Sequence, residues 1–302
     1  MQEKCFEPLT GKTVEHEEHL QPGISFWQES LRRLRANKPA MVGLWMLVFL
    51  GILAIFGPLF SPYTYYEIHL PAINLPPSRE YIFGADELGR DIFTRICWGA
   101  RISLFIGIMA ALLDLIIGVA IGSLAGSLGG KIDELIMRIA DSIHSIPYLL
   151  IVIMLMVVMG NGIPTILLAL TITGWIGMAR IVRGQIMQLK ELDFVQASVA
   201  LGASRYRILL RHLIPNTMGP IIATMTLTIP SAIFTEAFLS FLGLGVQAPI
   251  ASWGTMASDG LPAMRYFPWR LFFPASFISL TMLCFNLLGD GMRDAFDPRL
   301  RS

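Results

Sequence analysis

Few residues in this chain are of a type and spacing that could do chemistry. Gly11, Lys12 and Thr13 supply the last three positions of a phosphate-binding loop, G-x-x-x-x-G-K-[ST], whose backbone N–H groups would cradle a triphosphate. Phe6 stands where the first glycine is needed, no strand pattern precedes it and the surroundings are acidic, so this segment cannot wrap a phosphate. The sequence has no H-E-x-x-H, G-x-S-x-G or EF-hand pattern. Cys5, Cys97 and Cys284 are far apart and odd in number, which reads as three free thiols. No catalytic residue, metal ligand set or cofactor site is expected. Two acids inside apolar runs remain, Asp114 and Glu236. A carboxylate at a helix centre costs about 2.5–3.5 kcal/mol to insert, and such groups pair internally or mark a pathway. About thirteen strongly apolar neighbours, at roughly −0.3 to −0.6 kcal/mol each, still carry the Asp114 segment into a bilayer. Glu236 follows Pro230, which frees a carbonyl and bends a helix, so this acid could meet a cationic substrate group or pair with an arginine near the membrane boundary. Both acids are candidate pathway residues.

The elements that must hold these acids follow from composition. Of 302 residues, 54% are hydrophobic and 15% charged, against about 25% charged in soluble domains. The mean hydropathy is +0.61. A net charge of +1 gives no argument for nucleic acid binding. The apolar residues form runs near the roughly 20 residues needed to span a bilayer, at 40–60, 102–124, 143–159, 163–181, 219–242 and 271–288. The fold class expected is therefore all-α integral membrane with six transmembrane helices. Of the 23 lysines and arginines, six (Arg79, Arg90, Arg95, Arg101, Arg265 and Arg270) fall on the side opposite the N-terminus and the other seventeen on its own side. The positive-inside rule then places both termini in the cytosol. Residues 1–24 carry five glutamates and no early apolar stretch, and read as a mobile cytosolic tail rather than a signal peptide. Residues 25–39 read as an interfacial amphipathic helix, with Ser25 and Gln28 as a capping box and Trp27, Leu31 and Leu34 on one face. The first span is 40–60, a proline-rich external loop occupies 61–101, and 102–302 form a five-helix core with a second long external loop at 243–270.

Between the fourth and fifth spans, residues 184–218 read as two short amphipathic helices. Asp193 and Gln196 predict a helix start near Phe194, with Phe194, Ala197 and Leu201 sharing a face. Gly202 predicts its stop, since glycine takes positive φ at little cost. Ser204 can cap a second helix, in which Tyr206, Leu209, Leu210 and Leu213 line one face, Arg207 and Arg211 another, and Pro215 closes the element. From pattern alone the apolar face either packs on the chain's own spans or enters a groove on a cytosolic partner.

This loop resembles the EAA loop of ABC-importer permeases, E-A-A, three residues, G, nine residues, I-x-L-P. Here it reads Gln196-Ala197-Ser198, three residues, Gly202, nine residues, then His212-Leu213-Ile214-Pro215. Gln196, Ser198 and His212 depart from the pattern, and the glycine-to-proline spacing is kept. Further blocks resemble the C-type subunit of oligopeptide and dipeptide permeases: FGADELGRDIFTR (83–95, with Ala85 where the family has threonine), GARISL (99–104), GGKIDELIMR (129–138), RIVRGQ (180–185), FLSFLGLG (238–245), SWG (252–254) and GDGMRDAFDPRLR (289–301).

The resemblance implies a type I (MetI-like) permease core in the bacterial inner membrane. It implies pairing with a homologous permease, two cytosolic ATP-binding subunits and an external peptide-binding protein, with peptide as substrate. The permease itself would lack ATPase activity. Gln196, Ala197, Ser198, Gly202, Arg205, Tyr206, Leu209, Leu210 and Pro215 would form the coupling helix that enters a cleft on the ATPase, so that ATP-driven closure tilts the spans. The family usually has an apolar residue at Asp114, so the resemblance assigns that acid no shared role. A nickel or other small-solute permease would share these blocks, with Met109, Met154, Met156, Met159, Met225, Met282 and Cys284 as soft groups in the spans. An ion-coupled secondary transporter is the remaining alternative, although no inverted repeat is visible.

Overall fold

The computed structural model describes residues 26–296. The tail at 1–24 and Ser25, the expected cap of the first helix, lie outside the described residues. The described part is helical. Helix α1 (Phe26–Ala36) is amphipathic and packs the Trp27 ring edge-on against Phe296, with centroids 5.8 Å apart. Asn37 breaks the chain and caps α2 (Lys38–Phe56), its Oδ1 accepting the Ala40 N–H at 3.1 Å, with Pro39 in the first turn where no N–H is required.

Helix α3 (Ile92–Leu128) begins ten residues before the predicted span at 102. Arg95 and Arg101 bounded the apolar run, yet neither ends the helix, because each finds acceptors. Arg95 donates to the Tyr65 carbonyl and pairs with Asp86, while Arg101 reaches the Ala54 and Ile55 carbonyls at 2.6 and 2.9 Å. Asp91 starts the helix by accepting the Thr94 N–H at 3.0 Å.

The third predicted span, 143–159, is not one helix. It is an amphipathic helix α4 (Gly130–His144) and a 12-residue apolar helix α5 (Tyr148–Met159), bent 79° between them. Pro147 is the cause, since it holds an extended ψ of 124°, donates no N–H and biases Ile146 away from helix. A 12-residue helix reaches about 18 Å, short of the ~30 Å hydrocarbon core. Among the described residues five helices are long and apolar enough to cross a membrane, and the count is six only if this bent pair is one span.

Helix α6 (Ile163–Lys190) likewise runs past Arg180 and Arg183, which were expected to end it. Arg180 pairs with Asp141 at 2.6 Å, and Arg183 grips both oxygens of Asp133. The blocks GGKIDELIMR and RIVRGQ are thus joined by a two-point ion pair.

Short helices α7 (Asp193–Ala200) and α8 (Arg205–Ile208) follow, then a π-helical turn (Leu209–Leu213) that runs into α9 (Ile214–Phe241). Pro215 was expected to close the loop. It sits instead in the first turn of α9, where the Ile214 N–H reaches back to Leu209 and the widened turn accommodates a residue with no N–H. Helix α10 (Trp253–Gly260) and the final helix α11 (Trp269–Phe296) complete the chain.

Helix α3 packs along α6, α9 crosses α3 and α11, and α2 lies on α11. At one end of the bundle, residues 61–91 fold onto α10 and the start of α11. Phe83 stacks on Phe273, and Arg270 binds Glu87 at 2.6 Å and the Asp259 carbonyl at 3.1 Å. Gly84 makes this closure possible, since it holds φ +82° and a side chain there would lie 2.6 Å from the Leu75 carbonyl. Burial holds the Asp259 carboxyl above its ordinary range, with Arg95 acting against it. The opposite end carries the α3–α4 turn and the α6–α9 connection.

Candidate functional site

The connection between α6 and α9 is built to present one face and bury another. Val195, Ile208 and Leu213 are buried with Met178, Val182 and Ile186 of α6 and Ile221 of α9. Gln196 donates to the Lys190 carbonyl at 2.8 Å, and Lys190 Nζ in turn donates to the Gly126 and Ser127 carbonyls at 3.3 and 3.1 Å. The loop is therefore pinned to the ends of both α3 and α6. Gln196 stands where the EAA pattern has an acid, and it fills the place with a donated hydrogen bond that a carboxylate could not make. Asp193 does not cap α7; Leu192 occupies that position, and Asp193 lies in the first turn.

Helix α7 ends in a Schellman motif. The Gly202 N–H donates to the Val199 carbonyl at 2.9 Å and the Ala203 N–H to the Ser198 carbonyl at 3.1 Å, with Gly202 at φ +81°. Ser204 Oγ then accepts the Arg207 N–H to start α8. The outward face carries a cluster of apolar side chains flanked by exposed arginines: Leu201 is 88% exposed and Tyr206 72%, with Phe194, Val199 and Leu210 also exposed, beside Arg205, Arg207 and Arg211. The predicted faces are thus partly redrawn. Leu213 turns inward while Tyr206 turns outward, because the π turn between them rotates the register. Val195 and Ile208, the inward anchors, were not singled out by pattern. No atom lies within 4 Å of a Cβ placed on Gly202, so Gly202→Ala tests backbone strain alone. It should cost about 1–2 kcal/mol, a fall in Tm of about 2–6 °C, with Gly202→Asn recovering part of the loss.

Asp114 and Glu236 are separated by the structure. Asp114 is 4% exposed and lines a cavity of about 470 Å³ between α3, the α4–α5 bend, α6 and α9. Its carboxylate lies over Gly174, where a Cβ would come 2.6 Å from its carboxyl carbon. Tyr148 lines the same cavity, and Asp114 Oδ1 and the Tyr148 hydroxyl are both buried without a hydrogen-bond partner among the described residues. Tyr148 carried no sequence signal. Gly174 did, as a glycine inside an apolar helix marks a close approach.

Glu236 does not line the cavity. It is fully buried and accepts from Ser240 at 2.8 Å and Ser103 at 3.2 Å. Ser103 accepts the Trp253 N–H at 3.3 Å, and the Trp253 ring N–H donates to the Ile96 carbonyl at 3.0 Å. Glu236 is the centre of a latch that ties α3, α9 and α10 together, and the blocks GARISL, FLSFLGLG and SWG converge on it. This polar knot satisfies the acid internally and explains its place inside an apolar helix without a substrate.

Comparison with known proteins agrees with this architecture. A model of the binding-protein-dependent transport system inner membrane component family matches residues 118–302, from mid-α3 onward. A model of the N-terminal TM domain of oligopeptide transport permease C matches residues 25–77. The chain is 57% identical over 296 residues to the oligopeptide transport system permease protein OppC of Bacillus subtilis (strain 168), covering 98% of this chain and 97% of that one. It is also 57% identical over 281 residues to the dipeptide transport system permease protein DppC of the same organism, covering 93% and 88%. The chain belongs to the OppC/DppC group of binding-protein-dependent permeases.

The OppC protein of Escherichia coli (strain K12) is a more distant relative, 42% identical over 281 residues and covering 92% of this chain and 93% of that one. Among solved structures, the MetNI methionine ABC transporter in an inward-facing form matches with a TM-score of 0.53 at 18% identity, over 66% of this chain and 94% of that one. That likeness shows a MetI-like fold. The permease is accordingly a multi-pass inner-membrane protein, and its family match takes in the α6–α9 loop and, of the latch, Glu236, Ser240 and Trp253. Asp114 and Ser103 lie between the two matched segments.

Proposed function

We propose that this permease is one of two homologous transmembrane subunits of a bacterial ATP-driven peptide importer, with both termini in the cytosol. Two cytosolic subunits bind and hydrolyse ATP, and an external binding protein delivers oligopeptide or dipeptide. The observation that carries this reading is the α6–α9 loop. It is a rigidly closed two-helix element whose apolar residues Leu201 and Tyr206 point away from the bundle. An exposed apolar cluster on a pinned scaffold is the form a docking knob takes when it must transmit force to a partner. The relatives named as oligopeptide and dipeptide permeases support peptide as the cargo. ATP-driven closure of the ATPases moves the knob, the ion pair of Asp133 with Arg183 and the lysine contacts carry the motion to α3, α4 and α6, and the cavity beside Asp114 opens to alternate sides.

The test is ATP hydrolysis stimulated by peptide and binding protein in liposomes holding the whole complex. Leu201→Asp with Tyr206→Asp should leave the Tm of the permease within about 2 °C, since exposed substitutions are near neutral. It should lower stimulated hydrolysis by more than about tenfold, since a buried charge replaces an apolar anchor at the docking site. Normal stimulation in that variant would remove the loop from the coupling path, while a wild-type complex whose transport proceeds without the ATPase subunits would point to ion-driven transport.

A further inference from the structure

We infer that the cavity beside Asp114 is a binding subsite for a primary alkylammonium group of the transported peptide; this rests on the peptide-importer reading. The walls carry the argument. No lysine or arginine lines the cavity, and among its lining residues Asp114 carries a carboxylate. That residue is 4% exposed, and its Oδ1 has no hydrogen-bond partner among the described residues.

The hydroxyls opposite are already committed as donors. Thr228 donates to the Thr224 carbonyl at 3.0 Å, Ser231 to Leu227 at 3.3 Å and Thr235 to Ser231 at 2.8 Å. A hydroxyl that has given its proton to the turn behind it offers the cavity lone pairs only. The Tyr148 hydroxyl, buried and unpartnered, can give its proton to the Asp114 carboxylate or to another acceptor and still offer a lone pair to the cavity. His144 at the bend is the remaining titratable lining residue, and its neutral ring can accept as well. An acceptor-lined cavity with a buried carboxylate is complementary to a group that is all donor and positively charged. An ammonium, with three N–H donors and one charge, is that group. Two peptide atoms fit the description, the N-terminal amine and a lysine Nζ.

The position within the fold fits transit rather than storage. The cavity lies between the broken α4–α5 pair and α9, on the elements that the proposed ATP-driven motion would displace. Gly174 keeps the carboxylate in place by having no side chain beneath it.

The experiment uses the full complex with its binding protein in liposomes. Initial uptake rates are compared for a lysine-free peptide with a free amine, its N-acetylated form, and an N-acetylated peptide carrying one lysine. The binding protein's own preference is common to every permease variant and cancels in the comparison with wild type. Asp114→Asn should lower the ratio of free-amine to fully acetylated uptake about tenfold relative to wild type, the loss expected when a charge-assisted hydrogen bond is removed. Gly174→Ala, which displaces the carboxylate, should act in the same direction, and Asp114→Glu should restore part of the ratio. If the acetylated lysine peptide loses as much as the free-amine peptide, the site reads either amine; if it does not, the site reads the N-terminus. Tyr148→Phe removes one unpaired hydroxyl and carries the same test should Asp114→Asn assemble poorly. An unchanged ratio in Asp114→Asn or Tyr148→Phe, or equal losses for all peptides, overturns the subsite while leaving the importer reading intact. A wild-type complex that hydrolyses ATP but imports no peptide overturns the importer reading, and the subsite with it.

Discussion

Gly122→Val should lower the Tm of the purified permease by about 6–12 °C and cut its monodisperse yield in detergent, whereas Gly177→Val should change neither. Both glycines lie in long apolar helices, and only their surroundings differ. A Cβ on Gly122 would stand 2.9 Å from the Ala179 Cα and 3.0 Å from its carbonyl carbon, while nothing lies within 4 Å of a Cβ on Gly177. The atoms in the way at Gly122 belong to backbone, so no rotamer change relieves the clash. Gly118 and Gly126, one turn to either side, make the same close approach, to Met178 and Ile186. The three form a small-residue seam along which α3 and α6 pack, the device membrane helices use where lipid supplies no hydrophobic drive for association. Overpacking costs typically 1–3 kcal/mol where side chains can adjust, and rigid backbone on both sides puts this site at the upper end. About 3 kcal/mol in a chain of this size corresponds to the stated shift. A Tm for Gly122→Val within about 2 °C of wild type would mean that α3 and α6 do not meet along this seam.

Glu236→Ala should be at least as damaging, and Glu236→Gln much less so. Removing the carboxylate leaves the Ser103 and Ser240 hydroxyls buried with no acceptor and opens a void between α3, α9 and α10. Each orphaned polar group costs about 1–3 kcal/mol, so a loss of about 3–5 kcal/mol and a Tm fall of about 8–15 °C are expected. Glutamine keeps the volume and one acceptor oxygen, so its cost should stay near 1–2 kcal/mol. The same pair of variants separates a latch from a pathway residue. A latch loses Tm in proportion to the lost hydrogen bonds while the KM for peptide in the surviving protein stays at wild type. A pathway residue would show the reverse, a normal Tm in Glu236→Gln with an altered KM.

The membrane class, the number of apolar segments and the two-helix form of the α6–α9 loop were legible in the sequence for one physical reason. Each is a property of neighbours along the chain. Long uncharged runs, a serine before a helix and a glycine at a helix end act locally, and the structure keeps Ser204 and Gly202 where the pattern placed them. Gly202 is the clearest case, since its positive φ and the two hydrogen bonds around it are demanded by the turn itself.

What the sequence left open depended on distant partners. The arginines at 95, 101, 180 and 183 end hydrophobic runs but not helices, because carbonyls and carboxylates brought in from elsewhere satisfy them. The run at 143–159 carries no Lys, Arg, Asp or Glu, and the turn at Pro147 makes it part of a broken pair. Asp114 and Glu236 looked alike as acids in apolar helices. Tertiary structure gave Glu236 two serine donors, one of them held in turn by the Trp253 backbone N–H, and gave Asp114 an open cavity with an unpaired oxygen. A sequence fixes which groups must be satisfied inside a membrane; which of them the folded protein satisfies, and which it leaves free to meet a ligand, is decided by what the other helices bring within about 3 Å.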